Sequence, residues 1–487
     1  MRIQFLIFSL IVITLSQACS ERSNIIMPGN DTGISVSSSD TGLMSVFKWA
    51  VNTSASYVGN PGDPVGPWYE AALPGREAFC IRDVSHQCIA AEILGYSGQN
   101  KNMFRKFVEN ISSSRDYCSF WEINRYNKPA PVDYSSDSDF WYNLNANFDI
   151  IDACFKLYKW TGDSTYISDP SFGRFFRLTM NEYISRWQLS PDSIMARPPL
   201  MNLRKGTVKY RFARGIPSYD EGQENMCVSG DLLGMIANAA SVYSSILKLQ
   251  GSLREAGHYD ELASRYRRLI DSLWWDNSVS AYHGFFMSDR KFYPGGTGQS
   301  EFLLWYGVIS DPDRIRKSLA DLKNSQVEVL SYLPELFSRY GYYTEARDFI
   351  EKIYTDKRRE YPEASSGVIE GIVRGMAGVE PDAASGIIRT CSRLPDEKGW
   401  IQVVNIPVFS GIVAVRHEGI NQSTFLLISG KQAVWRAMFR GSYTTITAGG
   451  HEYSAVSQTD LQGNVFGYAD IPVKQGMQYT ATASGKK

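Results

Sequence analysis

Acid, base and cation side chains crowd into three short stretches of this 487-residue chain. The first runs from Gly75 to Gln87 and reads Gly-Arg-Glu-Ala-Phe-Cys-Ile-Arg-Asp-Val-Ser-His-Gln, with an apolar run behind it that ends at Gly95. A polar loop feeding a helix start is expected there, with Asp83 as a cap for the orphan backbone N–H groups. Adjacent Arg82 and Asp83 can donate to and accept from neighbouring hydroxyls, which is what gripping a sugar requires, and His86 lies one turn further on. The second stretch is Tyr219 to Asn225, Tyr-Asp-Glu-Gly-Gln-Glu-Asn, at the entrance to a long apolar segment through Leu249. The third is Tyr361-Pro362-Glu363-Ala364-Ser365-Ser366-Gly367. Pro362 disfavours helix at Tyr361 and suits a helix start, so Glu363 is expected in a first turn or loop.

Glycoside cleavage needs a protonated carboxyl at the leaving oxygen and a carboxylate that activates water or attacks carbon. Glu221 and Glu224 are the candidates for the acid and Glu363 for the base. If the reaction inverts, the acid and Glu363 should stand about 6.5–9.5 Å apart. Each carboxylate also has a plainer role, since acidic residues in a first turn complement the helix dipole. Trp121 and Trp141, each beside a carboxylate, offer sugar-stacking faces, and Asn147 opens a helix that contains Asp149. A basic stretch, Arg197, Arg204, Lys205, Lys209, Arg211 and Arg214, precedes the expected acid. Arg211 and Arg214 are read as groups that would hold a uronate carboxylate in bidentate pairs.

The elements that must position these groups are helical hairpins. Leu144, Phe148, Ile151, Phe155 and Tyr158 recur at helical spacing, and Gly162 then closes the stripe. Gly95, Gly251 and Gly341 stand in the same way between amphipathic stretches, at intervals too irregular for a short-period solenoid. A closed toroid of such αα-hairpins would present its long loops around one central pocket. Beyond Ile388 the pattern changes: runs at Ile401 to Val415 and Thr424 to Phe439 are rich in β-branched and aromatic residues, with turns at Gly419, Gly430 and Gly449-Gly450. These predict an antiparallel β domain. The expected division is a signal peptide (1–18), a Ser/Asn/Asp/Gly-rich tether (19–42), a helical catalytic domain (43–394) and a β-sandwich-like domain (395–487).

Composition narrows the partners. With 50 basic and 51 acidic residues and no polybasic block, the chain offers little to nucleic acid or an anionic membrane. Arg2, the apolar run Ile3 to Leu15 and Ser16-Gln17-Ala18-Cys19 read as an export signal. Cys19 followed by Ser20 also resembles a loose bacterial lipoprotein box, so a lipid anchor at Cys19 is the one membrane attachment expected. The remaining cysteines, Cys80, Cys88, Cys118, Cys154, Cys227 and Cys391, are scattered, and the five histidines are not paired at ligand spacing. Neither a metal nor a cofactor is expected.

With these pieces placed, the chain resembles the six-hairpin, (α/α)6-barrel glycosidases, a superfamily that includes glucoamylases, α-L-rhamnosidases and trehalases. Arg82-Asp83 before a helix resembles the Arg-Asp sugar grip of the glucoamylase group. Pro362-Glu363, Gly367-Val368-Ile369-Glu370 and Gly375-Met376-Ala377-Gly378 are similar to the late barrel region. Arg393-Leu394-Pro395-Asp396 through Gly399-Trp400 is similar to the junction between barrel and β domain in rhamnosidase-like members. The Gly-Asp-Trp segment that marks the acid region of rhamnosidases is replaced here by Glu-Gly-Gln-Glu-Asn around Glu221, which leaves the acid open between Glu221 and Glu224. The resemblance implies an exported bacterial exo-glycosidase, inverting, acting on a terminal sugar of a rhamnose- or uronate-containing oligo- or polysaccharide, in the periplasm or at the outer membrane. Two other classes compete: a polysaccharide lyase using His86 or His283 with a tyrosine, and a surface glycan binder without catalysis.

Overall fold

A computed structural model describes residues 24–27, 33–200, 210–222, 225–295, 298–322, 331–409 and 411–486. The first helix is α1 (Thr41–Ser56). Then come α2 (Ile81–Ile93), α3 (Ser97–Glu109), α4 (Ala146–Thr161), α5 (Pro170–Leu178), α6 (Gly230–Leu249) and α7 (Leu253–Leu269). The set is completed by α8 (Gly298–Trp305), α9 (Pro312–Leu322), α10 (Leu333–Arg339), α11 (Tyr343–Thr355) and α12 (Pro362–Glu370). The hairpin glycines do what their positions imply. Gly95, Gly162, Gly251 and Gly341 all adopt positive φ, between 70° and 87°, a conformation that ends a helix at little cost only for glycine.

Alternate helices form an inner ring. α2 packs on α4, α4 on α6, α6 on α8, α10 on α12, and α12 back on α2. Between α8 and α10 the ring is closed by side chains: Tyr340 donates to the Leu304 carbonyl at 3.0 Å, and Arg339 to that of Trp305 at 2.9 Å. Outside, α1 packs on α12, α3 on α2, α7 on α6, α9 on α8 and α11 on α10, while α5 packs on outer α3. Sequence distinguishes the layers. Outer α7 buries Ala256, Tyr259, Ala263 and Tyr266, a single stripe, whereas inner α2 buries every residue but Arg82. α6 is long and apolar enough to cross a membrane, but here it is an inner helix, buried on most sides.

The closest approach in the ring is made by glycines. Gly367, Gly371 and Gly375 repeat every four residues along α12 and its π-helical continuation (Gly371–Met376). A Cβ at Gly367 would lie 2.1 Å from the Ser331 carbonyl oxygen, one at Gly371 2.4 Å from Pro334 Cβ, and one at Gly375 3.0 Å from Ser338 Oγ. Any larger residue would push α10 and the Ser331-Tyr332 turn away from Glu363.

The strand-rich part begins earlier than expected. Glu380–Asp382 (β2) and Ile387–Cys391 (β3) precede β4 (Trp400–Val408), β5 (Gly411–Glu418), β6 (Gln422–Gly430), β7 (Ala433–Arg440), β8 (Tyr443–Ala448), β9 (His451–Ser454), β10 (Val456–Thr459), β11 (Val465–Val473) and β12 (Gln478–Lys486). Two sheets result, of order β1-β4-β5-β6-β12-β8-β9 and β2-β3-β7-β11-β10. β1 is Ser35–Ser38, in the segment expected to be only a tether, and it pairs antiparallel with β4. Within 395–487 the strands pair antiparallel, as expected, while the earlier β3 pairs parallel with β7. Phe425 and Trp435 stack at 5.3 Å between the sheets. The domain is fixed to the barrel by polar contacts: Trp160 donates to the Pro407 carbonyl at 2.8 Å, and His417 bonds the Ala377 carbonyl at 2.9 Å. Burial takes His417 down to about 4, so this contact carries no charge at neutral pH.

Two glycine substitutions separate packing from backbone freedom. Gly367→Ala is expected to destabilise by roughly 1–3 kcal/mol through overpacking. Gly173→Ala, in outer α5 with open space around the new methyl, should stabilise by roughly 0.5–1 kcal/mol. Urea denaturation of both variants checks the pair.

Candidate active site

At the N-terminal mouth of the inner ring, α2 starts directly from a short strand. Cys80 is its N-cap in extended conformation and Ile81 its first residue, so Asp83 lies at the third helical position and caps nothing. That corrects the capping expectation, and it frees the carboxylate: Asp83 Oδ1 accepts from Arg82 Nε at 3.0 Å. Arg82 in turn lies between the rings of Tyr219 and Trp121, its guanidinium carbon 5.4 and 5.8 Å from their centroids. Its Nη1 is 3.9 Å from Glu221 Oε1. Burial opposes the charge on Arg82, but Asp83, then Glu221 and Glu363, outweigh it and hold the guanidinium well above its ordinary value. One cation therefore connects all three stretches singled out by their chemistry.

Each stretch is fixed by its own local bonds. Asp231, in the first turn of α6, accepts from the Tyr219 N–H at 2.8 Å and from Ser218 Oγ at 3.1 Å. Burial raises Asp231 to about 6. This anchor presents Glu221, whose Oε1 accepts from Asn143 Nδ2 at 3.2 Å. The Glu221 side chain keeps 40% of its surface, yet the surrounding cavity wall displaces enough water to push its pKa up, with Arg82 acting the other way. Glu224 lies outside the described residues. Glu363 is the second residue of α12, behind Tyr361 as an extended N-cap, where Pro362 was expected to place it. A cavity of about 10 Å³ is lined by Glu363 together with Tyr332, Glu335 and Glu370.

A further carboxyl pair borders the cluster. Arg76 Nη1 lies 2.5 Å from Glu122 Oε1 and 3.4 Å from Asp133 Oδ2. Burial first, and then the adjoining Asp133 carboxyl, push Glu122 up to about 8 against the pull of Arg76. Asp83 acts on Glu122 in the same sense, and Asp133 acts likewise on Glu221. Asp83, Glu122, Asp133, Glu221 and Glu363 thus share Arg76 and Arg82 as counter-charges. Glu301 adds nothing to this sum: both its oxygens are buried without a hydrogen-bond partner among the described residues, and burial holds it well above the carboxylate range.

The other expected contacts divide. Trp121, nearly buried, stands beside Arg82. Trp141 is buried next to the carboxyl pair, its N–H donating to the Asp133 carbonyl at 2.8 Å. Asn147 is corrected: wholly buried, it accepts from Tyr142 at 2.6 Å and donates to the Tyr117 carbonyl and to Thr179, which ties its side chain to structural bonds. Arg214 is corrected too, because it pairs with Asp116 at 2.8 Å and its guanidinium carbon lies 5.5 Å from the Phe140 ring. Arg211 is exposed, held through its backbone N–H by Asp139, and its guanidinium covers Phe212. Arg204, Lys205 and Lys209 fall outside the described residues. His86 is buried with both ring nitrogens engaged inside the protein. His283 stacks on Phe292 at 4.6 Å, away from the cluster. Tyr332 was not singled out, although Glu363, Arg82 and Asp83 all act on its hydroxyl; the one sequence signal for it is Pro334 opening α10. Among the described residues no group of His, Cys, Asp or Glu is arranged to hold a metal ion, and the described cysteines are free and buried.

The fold is a six-hairpin (α/α)6 barrel followed by a β domain, and it is shared with solved structures. No family model matches the chain. Among solved structures, an α-L-rhamnosidase from Dictyoglumus thermophilum matches with a TM-score of 0.59 and 13% identity over 95% of this chain and 51% of its own. A GH78 family rhamnosidase of Bacillus sp. GL1 matches at 0.56 and 13% identity over 82% and 41%. A putative kojibiose phosphorylase from human microbiome gives 0.52 and 9% identity over 91% and 63%. The chain spans about half the length of the rhamnosidases it matches.

The carboxyl pair makes a stability prediction. In the folded protein Glu122 keeps its proton up to about 8, against an ordinary 4.5. Its stabilising contribution is therefore complete below about 4.5 and is lost as pH rises through about 8. In Glu122→Gln the amide mimics the protonated acid, so the fall in stability between pH 5 and 8 should become shallower. Denaturation midpoints at both pH values test this, and an unchanged slope would count against a proton held on Glu122.

Proposed function

We propose that this protein is an exo-acting glycoside hydrolase that removes a neutral terminal sugar from a complex glycan by inversion, with Glu221 as general acid and Glu363 as general base. The observation that carries the reading is that Arg82, bonded to Asp83 and 3.9 Å from Glu221, stands at the mouth of the barrel, with Glu363 in the first turn of α12. A raised pKa suits Glu221 to deliver a proton, and a first-turn position on α12 suits Glu363 to direct a water. Asp83 and Arg82 supply the hydroxyl grip, and Trp121 an apolar face.

The charge of the site supports a neutral sugar over a uronate. With Glu122 and Glu221 protonated, three carboxylates still outnumber two guanidiniums, which gives a substrate carboxylate no surplus of positive charge, and the arginine expected to receive one, Arg214, already serves Asp116. The same balance weighs against a lyase, which must neutralise a uronate carboxylate before removing the adjacent proton. The titles of the matching rhamnosidases make an α-L-rhamnoside the first substrate to try. The apolar run before Cys19 supports export to the periplasm or, through a lipid on Cys19, to the outer membrane of a bacterium.

Release of reducing sugar from a panel of aryl glycosides and plant, host and microbial oligosaccharides tests the activity, and NMR of the first-formed anomer tests inversion. Absorbance of an unsaturated uronide would reveal a lyase, and binding without release a lectin-like protein. On the substrate cleaved, Glu363→Gln and Glu221→Gln should each lower kcat by roughly 10²–10⁴-fold with the fold preserved. Activity should fall as pH rises through the raised pKa of Glu221. Full activity in Glu363→Gln would remove the base, and full activity in Glu221→Gln would remove Glu221 as the acid.

A further inference from the structure

His86 was expected to touch substrate, yet it belongs to a chain of buried hydrogen bonds that ends at the site. Its Nε2 lies 3.0 Å from Asp149 Oδ1 and its Nδ1 2.9 Å from Tyr332 Oη. Tyr306 Oη donates to the same Asp149 oxygen at 2.8 Å. Asp149 and Tyr306 are buried, and Tyr332 is partly exposed. The Tyr332 ring is held by Trp305 at 5.2 Å and Phe302 at 5.8 Å, and its turn is held by the close approach of Gly367 to Ser331.

The direction of these bonds follows from the inventory of protons. Burial raises the Asp149 carboxyl, with His86 and Tyr306 acting the other way; once ionised it can only accept, and it then takes the proton-bearing nitrogen of a neutral imidazole, Nε2. Nδ1 is left as an acceptor, and the one proton that can lie between Nδ1 and Tyr332 is the phenol's own. In that state Tyr332 donates inward to His86, and its oxygen offers only lone pairs to the cavity that it lines with Glu363. Without Asp149, the imidazole could carry its proton on either nitrogen and the phenol could turn either way.

We propose that Tyr332 is a specificity-determining residue: an obligate acceptor, fixed in that state by Asp149 and His86, that requires a hydroxyl donor on the bound sugar. This rests on the glycosidase reading above and names what that site demands of its substrate. A site built to bond a hydroxyl rejects the analogue lacking it strongly, because its own buried group is left unpaired. His86 and Asp149 act only through Tyr332 and are positioning residues.

The test uses the full chain, the 4-nitrophenyl glycoside that it cleaves best, and the complete set of monodeoxy versions of that sugar. The wild type should discriminate against one deoxy position by roughly 10²-fold or more in kcat/KM. Tyr332→Phe should lose most of that discrimination while keeping it at the other positions, since it lowers the parent's rate and leaves that one deoxy sugar's rate nearly unchanged. A second measurement needs no turnover: ¹⁵N NMR of histidine-labelled protein at pH 8, with the His86 signals identified by their absence in His86→Gln, should show the proton on Nε2. Undiminished discrimination at every position in Tyr332→Phe, or a His86 proton on Nδ1, overturns this proposal alone. A wild type that cleaves no glycoside overturns the glycosidase reading and this proposal with it.

Discussion

Five carboxyl groups can share one pocket only if something offsets their repulsion, and the guanidinium of Arg82 is the group at the centre. It stands at the second position of α2, so its backbone is fixed by the inner ring while its side chain reaches back over the mouth. Tyr219 and Trp121 flank its faces, and Asp83 fixes its Nε edge. Its Nη1 lies 3.9 Å from Glu221. Because guanidinium stays charged at any pH that the protein meets, the field it sets up does not fluctuate with conditions. Two of the carboxyls around it do change: burial first, and neighbouring carboxyls after it, raise Glu122 and Glu221 against the pull of Arg76 and Arg82.

The barrel supplies this geometry by two unlike means. Along most of the ring, large apolar side chains separate the helices and leave room for adjustment. Along α12 and its continuation glycine replaces them: Gly367 meets the Ser331 backbone, Gly371 the Pro334 side chain and Gly375 that of Ser338. That stretch is where Glu363 and Tyr332 enter the site, so the least adjustable contact in the ring lies beneath the groups whose placement matters most. The π-helical turn that continues α12 lies at the same seam, a distortion often found near functional sites.

Much of this was legible in the sequence because backbone signals are local. Four glycines at the ends of apolar stripes marked the hairpins, and all four adopt the positive φ that the position requires. Pro362 marked the start of α12, and Arg82-Asp83 marked the site. What escaped depends on partners remote in sequence. Asn147 looks like a free amide at a helix start, but Tyr142, Tyr117 and Thr179 use it. Arg214 looks like a ligand for an acidic sugar, but Asp116 is nearer. Tyr332 carries no motif, and its importance comes from His86 and Asp149, which sit on other helices. β1 escaped for the same reason, since a four-residue polar strand gains its meaning only from β4.

That pairing binds the order of synthesis to the order of folding. Ser35 to Ser38 leave the ribosome before any helix of the barrel, yet their partner, Ile401 to Val404, follows only after the whole ring has been made. At about 5–20 residues per second, the strand waits for tens of seconds with its N–H and C=O groups unpaired. The ring can close in that interval, but the sheet that covers its far end cannot gain this edge strand until nearly the entire chain is out. The first and last parts of the protein are therefore completed together, and the earliest-made strand is among the last to find its place.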